Sequence, residues 1–306
     1  MSEVQANGVN LYYEDAGDRD APALLLISGL GTQLIAWPDA LVGRLVDAGF
    51  RVVRYDNRDV GRSTHLDGAR MPNLSLVTIA ERFGLRWRVP YTLTDMARDA
   101  VELLNALDIE QAHLVGASMG GAIAQIIAAG WPTRVLTLTS IMSTSNARGL
   151  PRPSSKLLGK MLDGSSERAT RAEAVKSREE LLTLISYPDP ARHPNAFQVA
   201  AEEAFTRGYN PDGMRRQLLA LVADGSRAHR LAEISTPTLV IHGEADALCP
   251  PACGADVAHR IAGARFKLVT EMAHDLPPSQ LSTLANWIIA HARANTAKGS
   301  PDLEMA

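Results

Sequence analysis

The sequence has few of the features that mark secreted, membrane-spanning or nucleic-acid-binding proteins. Its 306 residues include two cysteines, Cys249 and Cys253, too few for a disulfide framework. No second Cys/His pair with zinc-like spacing accompanies them, so we expect packing residues rather than a metal site. No apolar run approaches the ~18 residues of a membrane-spanning helix. The net charge is −3, with both signs interspersed, so no basic stripe indicates nucleic-acid binding.

These absences predict an ordinary globular protein. The N-terminal stretch MSEVQANGVNLYYED lacks a basic segment followed by an apolar run, so we expect no signal peptide. With 46% hydrophobic residues, a chain of this length can bury a substantial core. We predict a cytoplasmic monomer or homodimer that acts on a small, roughly neutral molecule, with neither nucleic acid nor a membrane as partner.

Short apolar runs alternate with amphipathic stretches of helical length. Six runs are near-continuously apolar, as buried parallel strands are: 23–28, 51–56, 113–117, 135–142, 238–243 and 265–270. Residues 3–15 predict a hairpin that turns at Asn7-Gly8. Helices are predicted over 37–48, 93–107, 119–130, 252–262 and 278–294. This alternation predicts an α/β fold with a mostly parallel sheet and helices on both faces.

Two segments interrupt the alternation. No strand candidate lies between Met142 and Thr238, where Pro and Gly separate several helical patches. A shorter stretch, 65–90, holds one amphipathic helix over 74–86. We therefore predict an α/β core over 1–142 and 231–296, with a helical cap over 143–230. We also predict an extra insert near the entrance of the active site over 65–90, and a flexible tail over 297–306.

The stretch LVGASMGGAIAQ places Ser118 between two glycines where a strand meets a helix. Gly116-Ala117-Ser118-Met119-Gly120 has the spacing G-x-S-x-G. In a tight strand–turn–helix the serine is strained and its hydroxyl exposed, and side chains two positions either way would collide. The helix that follows directs backbone N–H groups and its positive end at the same point. This context predicts a nucleophile beside an anion-stabilising corner.

A serine nucleophile needs a base and a carboxylate that orients the base. Asp246 follows the strand at 238–243, and His274 follows the strand at 265–270. Both lie in loops at the edge of the sheet where functional groups gather in open α/β folds. The order Ser118, Asp246, His274 is the one this architecture uses. Glu244 is the alternative acid.

Acyl transfer also needs two donors for the developing oxyanion. The first predicted donor is the N–H of Met119, directly after the serine. The second is the N–H of Leu30 in the loop Ser28-Gly29-Leu30-Gly31, where glycines let substrate approach the backbone. For the substrate pocket we predict five residues from this loop region and the insert at 65–90: Gly29, Leu34, Trp37, Phe83 and Trp87.

These motifs resemble the α/β-hydrolase family of fold-1 serine esterases over about residues 3–295. The segment DNRDVGRS resembles the family's D-x-R-G-x-G-x-S turn, with Asp59 in place of a glycine, and Ser28 stands where a histidine is usual. The chain is most similar to the subgroup that contains aclacinomycin methylesterase. The resemblance implies eight strands in the order 1-2-4-3-5-6-7-8 with strand 2 antiparallel, and a helical cap at 143–230.

The function predicted from these residues is that of a serine carboxylic-ester hydrolase. It would act on small to medium acyl, aryl or methyl esters through Ser118, Asp246 and His274, with no cofactor and no metal. The same triad serves lactonases, thioesterases, C–C hydrolases and cofactor-free perhydrolases, and these chemistries stay open. A non-catalytic small-molecule receptor is the alternative outside the enzymes.

Overall fold

An eight-stranded, mostly parallel sheet forms the centre of the computed structural model, which describes residues 2–85, 87–163 and 169–296. Its strands are β1 Ser2–Ala6, β2 Val9–Ala16, β3 Ala23–Ile27, β4 Arg51–Tyr55, β5 Ala112–Ala117, β6 Val135–Ile141, β7 Thr238–Gly243 and β8 Arg265–Val269. They lie in the order β1-β2-β4-β3-β5-β6-β7-β8, and β2 is antiparallel to both of its neighbours. The predicted fold class and strand order are therefore confirmed.

Local sequence explains the hairpin and the central strands. Asn7 and Gly8 both have positive φ, 47° and 79°, as the tight turn between two antiparallel strands requires. All five residues of β3 are buried, and so are all six of β7. These strands are covered by helices on both faces, which is why their sequences are continuously apolar rather than alternating.

Helices cover the two faces of the sheet. They include α1 Asp39–Asp47, α3 Leu93–Ala106, α4 Met119–Gly130, α10 Pro251–Arg260 and α11 Leu281–Thr296. One hydrophobic cluster holds α3 and α4, and a second, on the other face, holds α1 and α11. Thr92 and Asp95 cap α3 reciprocally, which satisfies two N–H groups at its start. The predicted helix 37–48 begins later, at Asp39, after a 3-10 turn over Leu34–Ala36.

The segment between β6 and β7 is helical where the structure describes it. It contains α5 Ser155–Asp163, α6 Arg171–Ile185, α7 Ala196–Gly208, α8 Pro211–Asp224 and the short α9 Ala228–Leu231. We call α5–α8 the helical insert. The stretch 65–90 contributes α2, Leu74–Arg82, which packs against α8. The division into core, cap, extra insert and tail stays a prediction, and 297–306 lies outside the described residues.

Across the described ranges, no helix combines the length and the apolar character needed to cross a membrane.

Candidate active site

Ser118 lies in a strained turn between β5 and α4. Its backbone has φ 56° and ψ −120°, a conformation that a non-glycine residue rarely adopts. A Cβ on Gly120 would lie 2.0 Å from the carbonyl oxygen of Ile27, and one on Gly116 would lie 2.2 Å from that of Gly120. The two glycines are needed because backbone fills the space on both sides of the turn. The serine side chain remains partly exposed.

The structure brings Ser118, His274 and Asp246 into one hydrogen-bonded chain. His274 Nε2 lies 2.9 Å from Ser118 Oγ, and His274 Nδ1 lies 2.7 Å from Asp246 Oδ2. Asp246 Oδ1 accepts hydrogen bonds from the amides of Leu248 and Cys249 at 2.9 and 2.7 Å. Glu244, the alternative acid, is exposed. The three side chains predicted from the sequence are therefore connected by hydrogen bonds.

The environment of Asp246 favours its charged form. Burial alone would raise its pKa, but the charge of His274 and hydrogen bonds from His242, His274 and Cys249 lower the pKa to about 2. Asp246 therefore stays ionised at neutral pH and can accept a hydrogen bond from the imidazole of His274.

His242 is a buried neighbour of Asp246. Its Nε2 lies 2.6 Å from the carbonyl oxygen of Cys249 and 3.4 Å from Asp246 Oδ2. The ring thus braces the loop that carries Asp246. The signal in the sequence was its position at the end of β7, four residues before the acid.

The loop after β3 approaches Ser118 closely. A Cβ on Gly29 would lie 3.3 Å from the Cβ of Ser118, so a side chain here would crowd the nucleophile. The amides of Leu30 and Met119 have no hydrogen-bond partner within the described ranges. Two unoccupied N–H groups beside a serine hydroxyl suit a developing oxyanion.

The helical insert holds this loop in place. Gln217 of α8 accepts a hydrogen bond from the Gly31 amide at 2.8 Å and donates one to the carbonyl of Arg58 at 2.8 Å. Gln33 donates to the carbonyls of Ala204 and Gly208, in and at the end of α7. The conformation of the loop therefore depends on α7 and α8, which lie more than 170 residues further along the chain.

The insert also holds the loop that carries His274. The amide of His274 donates to the carbonyl of Ile185 at the end of α6, at 2.9 Å. Asp275 accepts from the amide of Tyr187 and forms an ion pair with Arg192. These contacts turn the Asp275 carboxylate toward the insert rather than toward the His274 ring.

The two departures from the family pattern have structural roles. Asp59 is fully buried at φ 72°, and both of its carboxylate oxygens bind the guanidinium of Arg216 at 2.8 and 2.9 Å. Ser28 is buried, and its hydroxyl donates a hydrogen bond to the carbonyl of Gln33 at 3.4 Å. The glycine-to-aspartate change thus provides a partner for an arginine of α8.

None of the five predicted pocket residues is among the described residues that line the cavity between the insert and the loop after β3. Phe83 and Trp87 are 74% and 43% exposed. Phe83 directly follows α2, which buries Val77 and Ala80, and Trp87 lies beyond the end of that helix. Trp37 lies in the hydrophobic cluster with α1 and α11, and Leu34 is fully buried. Only Gly29, of the five, lies beside Ser118.

A cavity of about 100 Å³ lies between the insert and the loop after β3. Gly31, Gln33 and Val60 line it on the side of the core, and residues of the segment from α5 to α8 line it on the other. Met214 of α8 packs on Gly31, where a Cβ would lie 2.9 Å from Met214 Cγ. The sequence predicted pocket walls from both inserts; the described lining of this cavity includes residues of the long insert and none of 65–90.

Within residues 2–85, 87–163 and 169–296, no three His, Cys, Asp or Glu side chains are grouped so that they could hold a metal ion. Cys249 and Cys253 are free thiols.

Comparison with known proteins places this geometry in a family. The family model described as the alpha/beta hydrolase fold matches residues 22–277. The rhodomycin D methylesterase DauP of Streptomyces sp. (strain C5) is 32% identical over 96% of this chain and 98% of its own. The rhodomycin D methylesterase DnrP of Streptomyces peucetius is 33% identical over 94% and 96%, respectively. The predicted methylesterase-like resemblance is confirmed by these two relatives.

Solved structures agree on the fold. An esterase from Exiguobacterium antarcticum superimposes with a TM-score of 0.72 at 19% identity, covering 95% of this chain and 99% of that one. An enol-lactonase from Burkholderia xenovorans gives a TM-score of 0.72 at 21% identity, covering 95% and 100%. With the strand order, the strained serine turn and the matched family model, the chain belongs to the alpha/beta hydrolase fold family.

Proposed function

We propose that the protein is a serine carboxylic-ester hydrolase that acts on small-molecule esters through Ser118, His274 and Asp246. The hydrogen-bonded chain from Asp246 through His274 to Ser118 Oγ is the observation that carries the proposal. The two methylesterase relatives support ester hydrolysis as the reaction.

In the proposed reaction Ser118 Oγ attacks the ester carbonyl while His274 Nε2 accepts its proton. Asp246 accepts a hydrogen bond from Nδ1, which fixes the tautomer of His274 and stabilises the imidazolium. The amides of Leu30 and Met119 bind the carbonyl oxygen as it becomes an oxyanion.

In the next steps His274 acts first as an acid and then as a base again. His274 returns the proton to the departing alkoxide, so the alcohol leaves and an acyl-Ser118 ester remains. Water then attacks this ester with His274 as the base, which releases the carboxylic acid and restores the serine. No step requires a cofactor.

Replacement of Ser118 by Ala tests the proposal. We expect ester turnover to fall by at least about 10³-fold with little change in melting temperature, because only a hydroxyl is removed. A panel of p-nitrophenyl esters of increasing chain length, with lactones and thioesters beside them, measures the activity and separates the related chemistries.

Ser143 provides a matched control, since its hydroxyl donates to the Ser118 carbonyl rather than joining the reacting chain. Ser143→Ala should retain far more activity than Ser118→Ala. Covalent labelling of the wild type by a phosphonate, mapped to the peptide with Ser118, should be lost in Ser118→Ala. Activity of Ser118→Ala within tenfold of the wild type contradicts the proposal.

A further inference from the structure

The cavity between the insert and the loop after β3 is lined by positively charged side chains. Among the described residues that line it, the charged side chains are both cationic, Lys160 of α5 and Arg178 of α6, and none is Asp or Glu. Its walls are otherwise largely apolar and include Leu181 and the stacked pair Phe205 and Tyr209, whose ring centroids are 4.9 Å apart. A positive charge in an apolar cavity attracts an anionic ligand.

The two cations differ in their partners. Lys160 forms an ion pair with Glu180. Arg178 has neither a hydrogen bond nor an ion pair with any side chain or carbonyl in the part of the chain that the structure describes. Ser177, its neighbour on α6, also lines the cavity, and its hydroxyl has no hydrogen-bond partner among the described residues.

Three other arginines of the segment between β6 and β7 have a carboxylate partner. Arg207 binds Asp56, Arg216 binds Asp59 and Arg192 binds Asp275. Arg178 is partly buried, and burial lowers the pKa of its guanidinium without a charged partner to offset the effect. An arginine nevertheless stays protonated at neutral pH, so this is an unneutralised cation in a cavity.

The cavity lies close to the nucleophile. Gly31 lines it, and Gly29, two residues earlier, packs against the side chain of Ser118. Two residues span at most about 7 Å, so the cavity edge lies within one short acyl chain of the reacting serine.

We propose that Arg178 binds a carboxylate of the substrate, and that the protein prefers esters with a free carboxylate several carbons from the scissile bond. This proposal rests on the proposed ester hydrolysis and specifies its substrate class. The planar guanidinium donates two parallel hydrogen bonds to a carboxylate, and Ser177 can donate a third. The apolar walls then hold the carbon chain between the two ends.

Matched pairs of methyl esters test the proposal. Monomethyl adipate, pimelate and suberate carry a terminal carboxylate, and methyl hexanoate, heptanoate and octanoate have the same acyl lengths without it. Butyrate esters of ω-hydroxy acids, paired with butyrates of plain alcohols, test the alcohol side. The quantity measured is the ratio of kcat/KM for the acidic ester to that for its neutral partner.

We expect Arg178→Met to lower this ratio at least tenfold for one chain length or more. Arg178→Lys should give an intermediate ratio, because lysine keeps the positive charge but lacks the planar guanidinium that donates two parallel hydrogen bonds. Lys176→Met removes one positive charge from the exposed side of the same helix and should leave the ratio unchanged. A ratio that is equal in the wild type and Arg178→Met for every pair overturns the proposal.

A binding experiment separates this proposal from the ester hydrolysis on which it rests. Adipate, pimelate and suberate should raise the melting temperature of Ser118→Ala protein, which cannot turn over, and the rise should be lost in the double variant with Arg178→Met. Inorganic phosphate tests a general anion site; stabilisation by phosphate but by no dicarboxylate contradicts a carboxylate site. If the wild type hydrolyses no ester while dicarboxylates still bind through Arg178, only the proposed reaction fails.

Discussion

Gly120 shows how little room the turn around Ser118 leaves. A Cβ at this position would lie 2.0 Å from the carbonyl oxygen of Ile27, whereas Gly130, at the other end of α4, has open space around it. We expect Gly120→Ala to displace the turn and lower kcat/KM by about 100-fold, since a misplacement of about 1 Å costs that much. Gly130→Ala should stay within twofold. Equal activities in the two variants, measured on the same ester, would contradict this steric account.

Asp246 should matter far more than Glu244, although both lie in the same loop. Asp246→Asn removes the acceptor for His274 Nδ1, so kcat should fall by about 10³- to 10⁴-fold. Glu244→Gln changes an exposed side chain and should have little effect. Initial rates at saturating ester measure both. The reverse ranking would transfer the role of the acid to Glu244.

The lowered pKa of Asp246 also predicts a pH dependence of stability. The folded value of about 2 lies below the ordinary 3.8, so the protein gains stability above the ordinary value and loses it as the pH falls through the folded one. The difference in free energy of unfolding between wild type and Asp246→Asn should therefore be greater at pH 5 than at pH 2, by about 2 kcal/mol. Urea titrations at the two pH values measure it. A difference that does not change with pH excludes this linkage.

At the scale of single elements, α2 shows what periodicity can and cannot tell. The sequence predicts an amphipathic helix over 74–86, and the structure has one over Leu74–Arg82 that buries Val77 and Ala80. The same pattern does not say which neighbour covers the apolar face, and α2 packs on α8 while Phe83 stays exposed. We expect Val77→Ala to destabilise the protein by about 2 kcal/mol, and Phe83→Ala by less than about 0.5.

Two exposed aromatic residues that follow α2, Phe83 and Trp87, test whether this segment shapes substrate choice. Neither Phe83→Ala nor Trp87→Ala should change the ratio of kcat/KM between short and long esters, because both side chains lie on the surface outside the cavity lining. Thermal unfolding and an ester panel measure stability and selectivity separately. A selectivity change in Phe83→Ala without a change in melting temperature would indicate that Phe83 contributes to the substrate pocket.

The sequence anticipates the hydrogen-bonded chain of Ser118, His274 and Asp246 better than the lining of the cavity, because the two depend on different information. Ser118 has a local motif, and Asp246 and His274 follow strands whose carboxyl ends must share one edge of the sheet. Arg178 carries no such signal, since a charged residue in a helical segment usually faces solvent. Its position in a cavity depends on how α6 packs against other helices, and the partner of Asp59 lies 157 residues away in the chain. Long-range packing of this kind is not encoded in any local pattern.

At the scale of the whole molecule, the insert completes the site by holding two loops of the core. Its contacts through Gln217 and Ile185 fix the loop after β3 and the loop of His274. Docking of the insert depends in turn on buried ion pairs, of which Arg216 with Asp59 is the most deeply buried. A substitution that loosens the packing of the insert on the core should therefore also disturb the geometry of the site.

Arg216→Met tests this dependence. Methionine fills similar space but leaves the Asp59 carboxylate without its bidentate partner, and breaking a buried pair in this way costs about 3–5 kcal/mol. Arg215→Met, one residue earlier, is the control, because Arg215 is 44% exposed and its pair with Asp212 should contribute less than about 1 kcal/mol. Urea unfolding gives the two free energies, and ester turnover well below the midpoint gives the activity of the folded fraction. We expect Arg216→Met to lose both stability and kcat/KM. A variant that loses stability but keeps full turnover per folded molecule would show that the two loops hold their geometry without this anchor.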